Sequence, residues 1–113
     1  MGSIQDPHVF VTAQRASMAQ FIACQVHGVP VEELRKPTRG RPLVARARQI
    51  AIHLARVVFG MDRRTLARQF RRDRSTVQHA LDVIERLREE DAQFDSSLCW
   101  MEALLRRAAG MDA

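Results

Sequence analysis

Apolar residues recur at helical spacing in two short stretches of the segment RRTLARQFRRDRSTVQHALD. Leu66 and Phe70 are four residues apart in the first stretch, and Val77 and Leu81 are four residues apart in the second. Residues at this spacing share one face of a helix. Ala67 supplies a small side chain where two crossing helices approach each other. The pattern predicts a helix-turn-helix.

The residues that open the second helix of this motif are mostly polar. Asp73 stands where its carboxylate can cap the free amides of the first turn. Arg71 occupies the turn, where Gly is more usual. The first-turn residues that packing does not need are Arg74, Ser75 and Gln78, and in a helix-turn-helix such positions face the major groove of DNA. The alternative is a helical hairpin whose charged outer face is only solvated.

The remaining stretches also have helical periodicity, and none shows the alternation of a β-strand. The sequence therefore predicts an all-α, compact helical bundle that forms a single domain over residues 7–113, with the helix-turn-helix at 63–90. Residues 1–6 are interpreted as a tag remnant or a disordered stretch. The other predicted helices start at Asp6–Pro7 and end at His27, cover Val31–Arg35 as a single turn, cover Leu43–Phe59, and start at Asp95 or Ser96.

The first of these helices has an apolar arc wider than one packing stripe requires. Two interpretations stay open: two helices of the same domain cover the arc, or residues 9–26 form a surface for a homodimer or a protein partner. The helix over 43–59 has a narrower apolar face, and His53 at its edge is interpreted as a satisfied structural histidine. The arc comprises Phe10, Val11, Met18, Phe21, Ile22 and Val26, and the narrower face comprises Ala47, Ile50, Ala51, Leu54, Val57 and Val58.

Charge is distributed unevenly along the chain. From Arg35 to Arg88 there are 15 basic and four acidic side chains, whereas the rest of the chain carries three basic and nine acidic ones. A strongly basic centre indicates a polyanionic partner. Its segment KPTRGRP cannot form regular helix and suits either a solvated linker or a flexible arm that enters a minor groove of DNA.

Several other classes of function lack support in the sequence. Cys24 and Cys99 are far apart and have no metal-ligand spacing, so that neither a metal site nor a cofactor is expected. No catalytic motif is present, and an enzyme is not expected. No apolar run is long enough to span a membrane, and we expect a cytoplasmic, nucleoid-associated protein.

The segments VEEL, ARARQIAIHLAR and LARQFRRDRSTVQHALDVIERL resemble the C-terminal DNA-binding domain of the bacterial replication initiator DnaA, a domain of the Trp-repressor-like helix-turn-helix type. The resemblance covers about Val29 to Arg107, and the run DRSTVQHA is its most specific part. It implies double-stranded DNA as the partner. No nucleotide-binding loop of the form G-x-x-x-x-G-K-[ST] occurs in these residues, and we therefore expect a stand-alone DNA-binding protein that binds no nucleotide.

The resemblance also implies residue roles, by position in the family motif. Base contacts in the major groove fall to Asp73, Arg74 and Ser75, and minor-groove contacts fall to Arg39 or Arg41, although Gly40 can also be aligned with the family's arginine. Contacts with the phosphate backbone fall to Arg48, Gln49, Arg56, Arg63, Arg64 and Thr76, and Gln78 is added from its place in the first turn.

The chain departs from the family pattern at several of these positions. Arg74 replaces the usual His, Ser75 replaces Thr, Ala47 replaces a Pro, and the turn after Phe70 is shorter and lacks its glycines. An Arg can bind guanine through two hydrogen bonds, so that we expect the family fold with an altered target sequence. The resulting hypothesis is a sequence-specific regulator of replication initiation or transcription. The alternative is a protein-interaction module with only non-specific DNA affinity.

Overall fold

The computed structural model describes residues 7–36 and 41–111. These residues form helices and connecting turns without any β-strand, which confirms the all-α prediction. Residues 1–6, interpreted above as a tag remnant or disordered, lie outside this range. The helices are α1 (Pro7–His27), α2 (Val31–Arg35), α3 (Pro42–Phe59), α4 (Arg63–Phe70), α5 (Arg74–Glu90) and α6 (Ala92–Ala108).

Helix α3 is the centre of the bundle, because each of the other helices packs against it. Its predicted apolar face is buried except for Val57, which is 42% exposed and was therefore predicted wrongly. Ile52 and Ala55, outside the predicted face, have no exposed surface. A helix surrounded by neighbours buries more than one stripe, and the narrow strip left to solvent near the end of α3 includes Arg56 and Val57.

Helix α1 packs on α3 through small side chains, and Ala16, Ala19, Ala23 and Cys24 are all buried there. Of the wide apolar arc, only one residue is buried and one is half-buried. The interpretation that neighbouring helices cover the arc is therefore wrong for most of it, because α3 meets the small-residue side of α1. Ile22 is the buried residue and Met18 the half-buried one, while Phe10, Val11, Phe21 and Val26 are 38 to 66% exposed.

The start of the last helix differs from the prediction. Asp91, and not Asp95 or Ser96, caps α6, and its carboxylate accepts hydrogen bonds from the amides of Gln93 and Phe94. The same residue also ends α5. Asp91 thus ends one helix and caps the next. The separate loop that the prediction assumed between the two helices is therefore absent. The start of α3 at Pro42 differs from the predicted Leu43 by a single residue.

The side chain of Arg88 links α5 to both α3 and α6. Its guanidinium donates to Asp95 Oδ1 at 2.6 Å, to Glu102 Oε2, and to His53 Nε2 at 3.0 Å. His53 is 3% exposed, as expected for a structural histidine, but its Nδ1 has no hydrogen-bond partner in the described part of the chain. Burial, and then the nearby charge of Arg88, lowers the pKa of His53 to about 4. His53 is therefore neutral at physiological pH.

Candidate nucleic-acid interface

The helix-turn-helix forms as the sequence predicts. Leu66 and Phe70 of α4 and Val77 and Leu81 of α5 are all buried. They belong to the main core cluster, which Ala67 also joins from the inner side of α4. Because these apolar residues fix how α4 and α5 pack, they also fix how the polar ends of the two helices are placed relative to each other.

The turn between the helices is closed by Arg71, which adopts a left-handed conformation with φ of 55° and ψ of 48°. It is the one non-glycine residue with positive φ among those described. Glycine adopts this conformation without steric cost, whereas an L-residue with a Cβ does so at some expense. Its amide donates to the carbonyl of Ala67. Arg71 thus performs the turn function of the family's glycine and brings an exposed positive charge.

Aspartates cap both helices of the motif. Asp62 accepts a hydrogen bond from the amide of Thr65, and Asp73 accepts one from the amide of Thr76, each at 2.8 Å. The hydroxyl of Ser75 also donates to Asp73 at 2.8 Å. The bond from the Thr76 amide, together with the Ser75 hydroxyl, lowers the pKa of Asp73. Asp73 therefore has a structural role as an ionised cap, in addition to the base contact that the resemblance implies.

Three arginines from the starts of the two helices meet at one surface depression. The depression has a volume of about 420 Å³ and is lined by Asp62, Arg63, Arg64 and Arg74. Asp62 is its only acidic residue, and that carboxylate is engaged in capping α4. Arg74 and Ser75 are exposed. The depression is therefore a concentrated positive charge beside the amino terminus of α5, where the free amides of a helix also favour an anion.

Gln78 holds one of these arginines against α5. Arg63 donates to Gln78 Oε1 at 3.1 Å, and Gln78 Nε2 donates to Asp82 Oδ1 at 2.9 Å. Thr76, one position from the first-turn Ser75, is exposed. Thr76 and Gln78 thus lie on the first turns of α5, and Arg63 of α4 contacts Gln78. These three predicted phosphate contacts therefore lie together.

The predicted phosphate contacts on α3 have different surroundings. Arg48 Nε donates to the carbonyl of Leu34 at 3.2 Å, and its Nη2 is buried with no partner in the described residues. Burial, followed by the charge of Arg72, lowers the pKa of Arg48. Gln49 accepts a hydrogen bond from Arg46 at 3.1 Å. Arg48 thus lies beside α2, in part withdrawn from solvent, whereas the contact of Gln49 is with its own helix.

Arg56 lies near the end of α3, where its Nη1 donates to the carbonyl of Met61 at 3.0 Å. That contact places it at the connection into α4, and its charge helps to lower the pKa of the Asp62 cap, after the larger effect of the Thr65 bonds. Of the arm residues, Arg41 is exposed and precedes the first turn of α3, whereas the predicted contact Arg39 lies outside the described residues.

The predictions from sequence assigned no contact to Arg72, which lies close to these predicted residues. Arg72 Nη2 donates to the carbonyls of Leu34 at 3.3 Å and Lys36 at 3.0 Å. Both acceptors are backbone atoms more than 30 positions away in the chain, and no side-chain pattern signals such a contact. Arg72 is two residues before Arg74, so that it connects the α2–α3 side of the surface with the depression at the start of α5.

The arginines described in this section share one electrostatic feature. No Asp or Glu in residues 7–36 and 41–111 lies within ion-pairing distance of any of them. Guanidinium groups that form no ion pair within the described residues are suited to phosphate, which guanidinium binds through two parallel hydrogen bonds. We refer to this set as the arginine surface, and its members are Arg48, Arg56, Arg63, Arg64, Arg72 and Arg74.

The fold and this surface define a helix-turn-helix domain with a basic face, and comparison with known proteins specifies which kind. The family model for the bacterial dnaA protein helix-turn-helix matches residues 17–84. The chain belongs to this family. The match starts within α1, earlier than the resemblance from Val29 suggested, and ends within α5.

Individual relatives agree with the family match. The chromosomal replication initiator protein DnaA of Acinetobacter baumannii (strain ATCC 17978) is 40% identical over 77 residues, which cover 67% of this chain and 16% of that protein. The protein of the same name from Pseudothermotoga lettingae is 38% identical over 64 residues, which cover 57% of this chain and 14% of that protein. The chain thus spans about one sixth of the length of the first of these relatives.

Two further properties of the described residues bear on the site. None of their helices combines the length and the apolar character that crossing a membrane requires. In the same residues, His, Cys, Asp and Glu side chains form no group of three that could hold a metal ion.

Proposed function

We propose that this protein binds double-stranded DNA sequence-specifically and regulates replication initiation or transcription. The observation that carries the proposal is the arginine surface, in which three arginines line one depression beside the start of α5 and form no ion pair with an acidic side chain of the described residues. Family membership and the name of the relatives, chromosomal replication initiator protein, support the same proposal. The role is one of binding and not of catalysis.

In this proposal the start of α5 enters the major groove of the duplex. Arg74 and Ser75 are exposed there and supply base contacts, with Asp73 at the same end of the helix. Arg74 is the specificity residue, because a guanidinium that binds a guanine edge through two hydrogen bonds discriminates by about 1 to 3 kcal/mol. Arg41, and Arg39 in the adjoining arm, supply the minor-groove contact.

The surrounding residues contact the phosphate backbone and set the register of α5 on the duplex. Arg63 and Arg64 lie beside Arg74 in the depression, and Arg48 has no carboxylate partner among the described residues. The full set of proposed phosphate contacts is Arg48, Gln49, Arg56, Arg63, Arg64, Thr76 and Gln78. An association with the nucleoid follows from this proposal.

The proposal is tested by separating base contacts from phosphate contacts. A duplex that the protein prefers is first selected from random sequences, and the affinities for that duplex and a scrambled one are then measured. Arg74→Ala should lower the preference for the selected duplex, whereas Arg48→Ala should weaken both duplexes by the same factor. Arg86→Ala is the control, because Arg86 is exposed on α5 three turns beyond Arg74. Equal losses on both duplexes in both variants would contradict the assignment.

The biological process is decided by where the protein binds in the cell. Genome-wide mapping of bound sites should show enrichment at the replication origin if the protein regulates initiation. Enrichment at scattered promoters would instead assign it to transcription.

A second candidate function is self-association, which the unpartnered apolar face favours. Phe21 and Trp100 are 55% and 59% exposed. A groove of about 450 Å³ lies between α1 and α6, and it is lined by Gln14, Ser17, Met18, Phe21, Ile22, Leu104 and Ala108. In this candidate the face pairs with a second copy of the chain, and DNA is bound only non-specifically.

The charges at the ends of α6 favour a second copy as the occupant. Asp91 lies at its start, and Arg106 and Arg107 lie in its last turn. Two copies related by a twofold axis can place these helices antiparallel, so that opposite charges meet. Phe21→Ser should then convert a dimer into a monomer in light scattering, whereas Val57→Ser, at an exposed apolar residue on α3, should not. A wild-type monomer that binds one duplex with nanomolar affinity would dismiss this candidate.

A further inference from the structure

Arg72 lies between the helix-turn-helix and the base of the basic arm. It belongs to the turn that precedes α5, directly before the Asp73 cap. Its guanidinium reaches across to the end of α2, where Nη2 donates to the carbonyls of Leu34 and Lys36. Lys36 is the residue from which the chain continues into the segment 37–40 and then to Arg41. The contact therefore joins the point where the arm begins to the point where α5 begins.

The hydrogen bonds of Arg72 explain how the end of α2 is held. The last carbonyls of a helix have no partners within the helix and carry partial negative charge. Arg72 donates to two carbonyls at this end, and Arg48 donates to one of the same two, that of Leu34. A single-turn helix such as α2 has little stability of its own, so that its position depends on these bonds together with the burial of Leu34 in an apolar cluster with Cys24, Val44 and Ala47.

The chemistry of Arg72 favours a fixed position over a mobile one. Its Nη1 donates to the carbonyl of Arg71 at 3.0 Å while Nη2 reaches α2. Two nitrogens of one planar group are thus engaged in different directions, which a lysine ammonium on a flexible stem does not reproduce. The side chain is half-buried, in contrast to the exposed Arg71 and Arg74 on either side.

We propose that Arg72 is a positioning residue that holds the base of the arm at a fixed place relative to the start of α5. The residue from which the arm continues and the start of α5 are then pre-arranged, which lowers the ordering cost of contacting the minor and the major groove of one duplex. Arg72 acts through Lys36 and Leu34 and does not itself read bases. This inference rests on the proposed DNA-binding function.

A double-mutant cycle tests the proposal. Arg72→Ala is measured in the wild-type background and in the background of Arg39→Ala with Arg41→Ala, in which the arm has lost its guanidinium groups. The selected duplex should bind about tenfold more weakly to Arg72→Ala in the wild-type background, and less than about twofold more weakly in the arm-deficient one. The same factor in both backgrounds would show a direct contact by Arg72 and would overturn the positioning role.

Two comparisons strengthen this test. Arg72→Lys keeps the charge but lacks the planar group that donates to Arg71 and to α2 at the same time. Its loss of affinity should therefore approach that of Arg72→Ala. Full affinity in Arg72→Lys would show that charge alone suffices and would contradict the proposal. Arg68→Ala, an exposed arginine of α4, is the matched control and should leave the affinity unchanged.

A measurement without DNA distinguishes failure of this inference from failure of the proposed function. Backbone amides of α2 should exchange with solvent faster in Arg72→Ala than in the wild-type protein, while those of α4 and α5 should not. Unchanged exchange in α2 would overturn the positioning role, whatever the protein binds. A wild-type protein that binds all duplexes equally would instead refute the proposed function and leave the exchange result intact.

Discussion

Arg88 and Arg48 are both drawn in part into the protein, and their surroundings are opposite. Arg88 contacts the carboxylates of Asp95 and Glu102. Arg48 contacts a single backbone carbonyl and has a buried nitrogen without a partner. The first guanidinium is neutralised by the protein that contains it. The second forms no ion pair with a carboxylate, and the same holds for the other members of the arginine surface among the described residues.

The pKa shifts of the two residues follow this difference. Burial alone would lower the pKa of Arg88, but hydrogen bonds and charge from Glu102 and Asp95 raise it instead. Burial lowers the pKa of Arg48, and the charge of Arg72 lowers it further. The comparison teaches that an arginine with internal carboxylates serves folding, whereas an arginine without them is suited to an external anion. The predictions below test this division.

Removal of Arg88 should cause the largest loss of stability. Arg88→Ala leaves Glu102, which is 9% exposed, without its cationic partner. Breaking such a pair should lower the free energy of unfolding by about 3 kcal/mol or more. Denaturation in urea measures the loss. Arg74→Ala, on the arginine surface, should change stability by less than about 0.5 kcal/mol, and equal losses in the two variants would contradict the division.

The buried histidine beside Arg88 should make stability depend on pH. His53 has a pKa of about 4 in the folded protein against 6.5 when unperturbed, so that the unfolded chain binds more protons between these values. The free energy of unfolding should therefore fall as the pH is lowered from 6.5 towards 4, by up to roughly 3 kcal/mol.

His53→Gln provides the control for this pH dependence, because an amide oxygen can still accept the hydrogen bond from Arg88. The variant should lose the part of the decline that lies between pH 6.5 and 4 while retaining the acid transition of the carboxylates. A decline of the same size in the variant would show that other groups cause it.

Replacement of Arg48 should affect binding more than folding. Arg48→Met keeps an apolar stem while removing a buried cation that has no carboxylate partner, and we expect a stability within about 1 kcal/mol of the wild type. Affinity for any duplex should fall about tenfold or more, because a charge-assisted phosphate contact is lost. Calorimetry and a binding titration on the same preparation compare the two effects. A large loss of stability without a loss of affinity would show that Arg48, like Arg88, serves folding.

The smallest expected effect concerns the turn of the helix-turn-helix. Arg71→Gly removes the Cβ from a residue with φ of 55°, and it should raise the free energy of unfolding by up to about 1 kcal/mol. DNA affinity should fall only slightly, since one exposed charge is lost. Arg71→Ala is the matched control, which removes the same charge without relieving the backbone. A destabilised Arg71→Gly variant would show that the arginine side chain itself holds the turn.

Much of this fold could be predicted from the spacing of apolar residues. The helix-turn-helix, the cap at Asp73 and the ends of α1 and α3 at glycines depend on neighbours close in the chain, and the structure confirms them. The exposure of Phe10 and Phe21 could not be predicted in this way. Periodicity shows that a face is apolar, but it does not show which of two apolar faces meets the core.

The site was less predictable, for a related reason. Proximity of Arg63 to Arg74 follows from the helix-turn-helix itself. The contact of Arg72 with Lys36 depends on backbone carbonyls brought together by tertiary packing, and no side-chain pattern records it. The assignment of individual residues to bases and phosphates came from the family motif and stays a prediction.

The salt dependence of binding tests the central claim most directly. If the basic residues of the proposed interface, those of the arm included, neutralise six to eight phosphates of a duplex, the logarithm of the association constant should fall against the logarithm of salt concentration with a slope of about −5 to −7. The slope should become less negative by about one in Arg63→Ala and stay unchanged in Arg86→Ala, the exposed control on α5. A flat salt dependence in the wild-type protein would contradict the account.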